Sequence, residues 1–426
     1  MICNFYSNPF NFFFIFINQS VSVQNSTALD VMANTGDQMS DLVDDLGLGF
    51  INRVWRVVFR AYGLHLDMLN PTCDSKCWKK NIYVAFIQFL YVITSLHFLL
   101  VIICYRIEKR QFGFTVVSIA ITELIVLSTA RILLKRQRKI RAIYRKIVFG
   151  LFTAKDLLTK FEQSTKLYLF IHLVITGMLN IIYISLEASG GFLQQISILG
   201  HAQIGIQNVY FTSATILLDY SIYLVFCIIT DLIFVYYAHL CAGLALNFVL
   251  FNRCLEAELR ATSLTPSKLN VLRHRFEHIS SLVDEISQLF SPIIFFWISS
   301  FVFNICLDIG TFKEMALTSC ILEFTAHTLL FVKEITYLLL ILKASAQINT
   351  QAHIMQRRLY TKVIDDSRDR DASKFIFCTN YLLFSETVSS CNVGISVSGL
   401  FTLNVTSILS IAGTVLTYSI VLYQTS

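Results

Sequence analysis

Asn208–Phe251 reads NVYFTSATILLDYSIYLVFCIITDLIFVYYAHLCAGLALNFVLF, without proline and with a single glycine, Gly243. Proline and glycine are the residues that most strongly interrupt a helix, so this run has the composition of one unbroken helix. At a rise of about 1.5 Å per residue it reaches about 65 Å, roughly twice the ~30 Å hydrocarbon thickness of a bilayer. Ser213–Val235 is apolar enough to cross, and the rest must project beyond the membrane on one side.

The rest of the chain agrees with a membrane setting. It is 55% apolar and only 15% charged, with a mean hydropathy of +0.62, whereas a soluble domain is about a quarter charged. Lipid admits only helices and closed barrels, because every backbone polar group must be satisfied internally. Four prolines against 36 phenylalanines favour long helices. Runs of about 20 apolar residues fall at Ala85–Tyr105, Phe114–Leu134, Leu167–Leu186, Ser213–Val235, Phe290–Ile309, Leu317–Leu342 and Val393–Tyr423. The expected fold class is therefore an all-α membrane protein with seven transmembrane helices.

An odd number of spans puts the two termini on opposite sides, and Lys and Arg choose which is inside. The loop after the second span carries Lys135, Arg136, Arg138, Lys139, Arg141, Arg145 and Lys146. After the fourth come Arg253, Arg260, Lys268, Arg273 and Arg275, and after the sixth Lys343, Arg357, Arg358, Lys362, Arg368, Arg370 and Lys374. The loop after the third span has no basic residue, and the one after the fifth only Lys313; Arg106, Lys109 and Arg110, between the first two spans, dissent. The N-terminus is thus expected in the cytoplasm and the C-terminus outside, opposite to a G-protein-coupled receptor.

A net charge of +6 concentrated in cytoplasmic loops is a topological signal, so no nucleic-acid partner is expected. Lys135–Lys146 is expected to lie beside anionic lipid of the inner leaflet. The 11 cysteines are scattered. Cys73 and Cys77 fall on the cytoplasmic side, where thiols stay reduced, and Cys104, Cys227, Cys306 and Cys320 suit packing within spans. No ligand-spaced Cys or His pairs recur, so neither a metal nor a cofactor is expected.

Residues 1–41 read as an N-terminal extension without a fold of its own, with Met32 as a second possible start. Residues 42–84 hold a membrane-boundary helix and a pre-span loop; in Gly49–Arg60 arginines recur among apolar residues at helical intervals. Spans one to four occupy 85–250, a cytoplasmic helical loop 251–289, spans five and six 290–342, a second cytoplasmic loop 343–391 and the last span 392–426. Within Leu269–Leu289, Leu272, Phe276, Ile279, Leu282, Val283, Ile286 and Leu289 share one helical face. The helices are thus expected to extend into a cytoplasmic anchor layer.

At the C-terminal end, Gly399-Leu400-Phe401-Thr402-Leu403-Asn404 is followed by Gly413, the pair Thr417-Tyr418, five mostly apolar residues and Gln424. These residues resemble the signature of the insect gustatory receptors, which ends in Phe where this chain has Thr425. Topologically the resemblance covers about residues 42–426. It implies a ligand-gated, non-selective cation channel for small-molecule tastants, multi-pass in the plasma membrane of chemosensory neurons. It also implies four subunits, identical or related, around one pore lined by their last helices. A bitter or other non-sugar ligand is the commoner outcome, and a sugar or internal nutrient sensor is the alternative.

The last span carries Ser396, Ser398, Thr402, Asn404, Thr406, Ser407, Ser410, Thr414, Thr417, Tyr418, Ser419 and Gln424. So many polar groups suit a helix surrounded by water and protein rather than lipid, whether in a pore or in a packed bundle. Thr414, Thr417, Val421, Gln424 and Thr425 follow one face, favouring a pore. By resemblance Val421, Gln424 and Thr425 lie at the narrowest constriction, where an apolar ring closes by dewetting. Tyr418 has an alternative reading as a packing residue hydrogen-bonded to a neighbouring helix.

Ionisable residues within spans are costly and invite functional readings: Glu123, Asp219, Asp231, Asp308, Glu323, Lys333 and Glu334. Asp219 and Glu323 fall in the outer halves of their spans, where the resemblance implies a ligand pocket. His327 lies one turn below Glu323, with Tyr210, Tyr220, Phe303 and Trp297 as candidate walls. Structural pairing within the bundle is the competing reading for each acid. Lys333 and Glu334, adjacent in sequence, point about 100° apart and need separate partners, and Asp231 and Glu334 belong deeper, toward the anchor. A G-protein-coupled receptor is disfavoured by orientation, and a transporter by the lack of helices broken at the midplane. No catalytic motif points to an enzyme.

Overall fold

The structure is a computed structural model, describing residues 53–57 and 59, parts of 125–136, and 137–190, 209–260, 265–318, 321–354, 372–390 and 393–425, with side chains 209–230 among those left out. The first expected span, most of the second, and residues 1–52 lie outside the described residues. The elements are α1 (Gln137–Leu151), α2 (Lys155–Gly190), α3 (Val209–Arg260), α4 (Pro266–Thr318), α5 (Ile321–His353), α6 (Ala372–Ser390), β1 (Ser396–Val397), β2 (Phe401–Thr402) and α7 (Val405–Thr425).

The long run that opens the sequence analysis is one helix of 52 residues. Its C-terminal half emerges into protein. Val235, Tyr236, Tyr237, Ala238 and Cys241, which point in all directions around the axis, are each at most 1% exposed, as befits a helix apolar on every side. α1 and α2 flank α3 on one side, and α4 and α5 on the other. Gly243 makes the closest approach possible: a Cβ there would sit 2.5 Å from Ile147 Cγ2 and 3.0 Å from Phe161 Cε2.

By length and composition, Lys155–Ile182, Asp231–Arg260 and Ser267–Gly310 are each able to cross a membrane, and Val405–Val421 is a shorter apolar helix. Asp231–Arg260 is sheathed by its own chain, so its hydropathy reflects a protein core rather than contact with lipid.

α1 is the basic loop expected after the second span, folded as an amphipathic helix. Ile140, Ile143, Tyr144, Ile147, Val148 and Leu151 are buried on one face, leaving the cations on the other. Lys146 pairs with Glu285 of α4 at 2.9 Å. Pro292, inside α4, has no N–H for the carbonyl four residues earlier, that of Gln288. Arg136 supplies the missing donor, its guanidinium reaching Gln288 O at 3.1 Å. α1 is therefore tied to α4 where the expected fifth span begins.

At the foot of α2, the Arg253 guanidinium donates to Asp156 at 2.6 Å, holding that carboxyl below its ordinary range. The described part of the expected boundary helix packs on α3: Trp55 and Phe59 are buried, 4.9 and 4.5 Å from the Tyr236 ring centroid.

Two boundaries differ from expectation. Leu317, expected to open the sixth span, belongs to the last turn of α4, and α5 starts at Ile321. Apolar residues lie on both sides of this boundary, so hydropathy alone does not place it. The last span was expected from Val393, but α7 begins at Val405, and the residues before it form an antiparallel hairpin pairing Ser396 with Thr402 and Val397 with Phe401.

Candidate functional site

The signature Gly399–Asn404 builds the foot of the last helix. Leu400 N–H closes the hairpin turn onto Val397 O at 2.9 Å, and Ser398 and Gly399 both have positive φ, 49° and 73°. Both central residues of a type I′ turn have that sign, and glycine adopts it without cost.

Asn404, expected inside a helix, is instead the N-cap of α7. Its Oδ1 accepts from Ser407 N–H at 2.8 Å, and Ser407 Oγ accepts from Asn404 N–H at 2.9 Å. This reciprocal pair is a capping box with serine at the third helical position. We expect Asn404→Ala to cost about 1 kcal/mol. Faster amide exchange confined to the first turn of α7 would report it.

Side chains of α4 and α5 clip this hairpin in place. Ser396 N–H donates to Ser287 Oγ at 3.0 Å and Ser398 N–H to Ser291 Oγ at 2.6 Å, while Asn349 Nδ2 donates to Val393 O at 2.8 Å. The sequence reading missed Ser287, Ser291 and Asn349. Their only sequence trace is the spacing of the two serines, one turn apart.

Beyond the hairpin, α7 touches its own chain along one stripe. Ile408, Ile411 and Val415 pack on the core, and Ser419 is buried on the same stripe. Thr414, Thr417 and Gln424 are exposed on a broadly opposite face, with Val421 49% exposed. The threonine hydroxyls donate to carbonyls of their own helix, Thr414 to Ser410 at 2.9 Å and Thr417 to Gly413 at 2.8 Å. Tyr418 is 59% exposed, so the described residues do not supply the neighbouring helix expected to receive it. Thr425 ends the helix, its side chain outside the described residues.

A second polar centre joins α2, α3, α4 and α5. Lys333 Nζ meets Asp231 Oδ2 at 2.8 Å, the side chains 15% and 8% exposed. On α2, His172 Nδ1 shares a hydrogen bond of 2.7 Å with Tyr337 OH of α5, and Thr176 Oγ1 lies 3.5 Å from the same nitrogen. Asn304 of α4 hydrogen-bonds Glu334, whose carboxylate also feels Asp231, Lys333 and Asp308.

Asp231 and Lys333 thus form a buried ion pair, with Glu334 close enough to sense both charges. Lys333 and Glu334 have separate partners, as their helical offset requires, and Asp231 bridges α3 to α5. His172, Thr176, Tyr337 and Asn304 escaped the sequence reading, because a lone polar residue in an apolar helix carries no periodic signal.

The expected pocket residues are only partly described. Asp219 and Tyr220 lie on α3 and Glu323 on α5, with their side chains outside the described residues; His327 is half-buried on α5. Trp297 is no pocket wall. It is 1% exposed, donates to Thr129 Oγ1 at 3.2 Å, and stacks edge-on against Phe234 at 4.7 Å. Phe303 is exposed on the outside of α4.

Among solved structures, the chain resembles the insect olfactory receptor OR5 from Machilis hrabei, alone and in complex with eugenol. Each comparison has a TM-score of 0.62 and 12% identity, over 92% of this chain and 100% of that one. At that identity the likeness speaks for the fold, all-α and shared with an insect chemoreceptor. No curated protein matches in sequence. Residues 207–426, from the start of α3 to the C-terminal end, match the family model described as "Trehalose receptor". Over half of its length is covered by that model, and the hairpin, cap and last helix that carry the signature all fall inside the match: the chain belongs to this insect gustatory receptor family.

Proposed function

We propose that this chain is one subunit of a ligand-gated, non-selective cation channel that opens when a small tastant binds. The observation that carries this reading is α7. It is capped and clipped at its foot, and among the described residues it packs on its own chain through Ile408, Ile411 and Val415, with Ser419 buried on the same stripe. Thr414, Thr417, Val421 and Gln424 are exposed on the broadly opposite face. Four such helices around an axis, from identical or related subunits, make a conduit whose apolar ring at Val421 closes by dewetting.

The orientation read from the basic loops puts that ring near the outside, and membership of the family supports the plasma membrane of chemosensory neurons as its location. Asp219, Tyr220, Glu323 and His327 form the outer ligand pocket of this proposal. A bitter or other non-sugar ligand was the expectation from the sequence; the description of the matched family favours the sugar reading, with a disaccharide as the first compound to test.

Whole-cell recording from non-insect cells without added G protein, during brief pulses of trehalose, other sugars and bitter alkaloids, tests the proposal. Current within milliseconds supports it, and a response that requires G-protein signalling overturns it. In the same cells, Val421→Ala is expected to raise resting current several-fold, because a smaller ring repels water less strongly. Unchanged resting and evoked currents would remove Val421 from the gate.

A further inference from the structure

The basic cluster preceding and opening α1 divides into two sets. Arg136 serves Gln288 and Lys146 serves Glu285, while Arg141 and Arg145 are half-buried. Arg131, Lys135, Arg138 and Lys139 remain exposed, and among the described residues no carboxylate pairs with them. Arg138 and Lys139 lie on the outside of α1, opposite the face where Ile140, Ile143 and Ile147 bury against the core, and Arg131 and Lys135 are exposed in the chain just before it. The Arg136–Gln288 contact fixes their height beside Pro292, where α4 enters its apolar stretch.

We propose that these four side chains form a headgroup site for anionic phospholipid of the cytoplasmic leaflet, phosphatidylserine in the first instance. Four cations with no counter-ion among the described residues, beside the apolar stretch of α4, complement a layer of phosphate and carboxylate groups. The guanidinium of Arg131 or Arg138 bonds phosphate through two parallel donors, and the lysines add unoriented charge. An occupied site braces α1, and through Arg136 and Lys146 also α4, against the leaflet. The leaflet assignment rests on the orientation proposed above; the headgroup chemistry does not.

The full chain, reconstituted in phosphatidylcholine vesicles, is probed with trace spin-labelled phosphatidylserine or phosphatidylcholine, and the motionally restricted fraction of each label is measured. The wild type is expected to prefer phosphatidylserine by at least about threefold, less so in about 0.5 M salt. The variant Arg131→Gln/Lys135→Gln/Arg138→Gln/Lys139→Gln loses the preference. If that variant does not fold, Arg131→Gln/Lys135→Gln and Arg138→Gln/Lys139→Gln are each expected to lose a part of it.

Equal restriction of the two labels in wild type, or an undiminished preference in the variants, overturns the site. RNA retained on the patch without lipid preference does so too. Both leaflets carry the same label, so the result does not depend on orientation. Labelling of a terminal tag on intact cells reads orientation separately.

Discussion

Lys333→Met is expected to be the most damaging single change in the described membrane core. It removes the ammonium 2.8 Å from Asp231 and leaves that buried carboxylate without its counter-ion, near Glu334. Breaking one side of a buried pair costs about 3–5 kcal/mol, because the surviving charge has lost its partner but not its desolvation penalty. Asp231→Asn should cost less, since the carboxamide keeps the side-chain volume and its oxygen can still accept a hydrogen bond from Lys333.

The two changes are expected to be strongly non-additive, with Asp231→Asn/Lys333→Met more stable than Lys333→Met alone. Thermal unfolding of detergent-solubilised receptor, followed by size-exclusion fluorescence, gives all four corners of the cycle. Additive losses would mean that the pair does not act as a unit. Ligand-evoked current in the same variants then asks whether the bridge between α3 and α5 also sets the balance of open and closed states.

The next largest effect is expected at Trp297. Truncation to alanine empties a site bounded by Phe234, Tyr237 and Phe290 and forfeits the bond to Thr129, for a total loss of about 3–5 kcal/mol. Trp297→Phe keeps most of the volume and loses the indole donor, so about 1 kcal/mol of the loss reappears. A pocket wall behaves differently: its truncation shifts ligand potency and leaves the melting temperature nearly unchanged. Measuring both quantities for Trp297→Ala therefore decides between the core position seen here and the ligand contact suggested by the sequence.

Much of the architecture was legible because it rests on long-range composition. The absence of proline between Asn208 and Phe251 requires a helix longer than the membrane is thick, and the apolar face of Leu269–Leu289 requires an anchor to receive it. The start of the last helix was not legible from hydropathy, since Val393–Leu403 is as apolar as a span. It is bent into a hairpin by Ser287, Ser291 and Asn349, which approach only after folding. Local hints existed in the Ser398-Gly399 turn dipeptide and in Asn404 three residues before Ser407.

Arg136 looked like one more topogenic cation, and only the tertiary fold reveals that it answers the carbonyl orphaned by Pro292. The signature itself was visible, but its first half has a mechanical reason. Gly399 turns the chain and Asn404 starts the helix, which places the proposed gate residues without touching them.

The one-sided attachment of α7 separates two kinds of selection. Its stripe Ile408–Ile411–Val415–Ser419 answers for the integrity of each subunit, whereas Thr414, Thr417, Val421 and Gln424 contribute little to it. In the proposed channel, substitutions at the latter positions therefore retune permeation while leaving the stripe that holds each protomer together intact. A lineage of such proteins is free to explore new conductances without first acquiring compensating mutations.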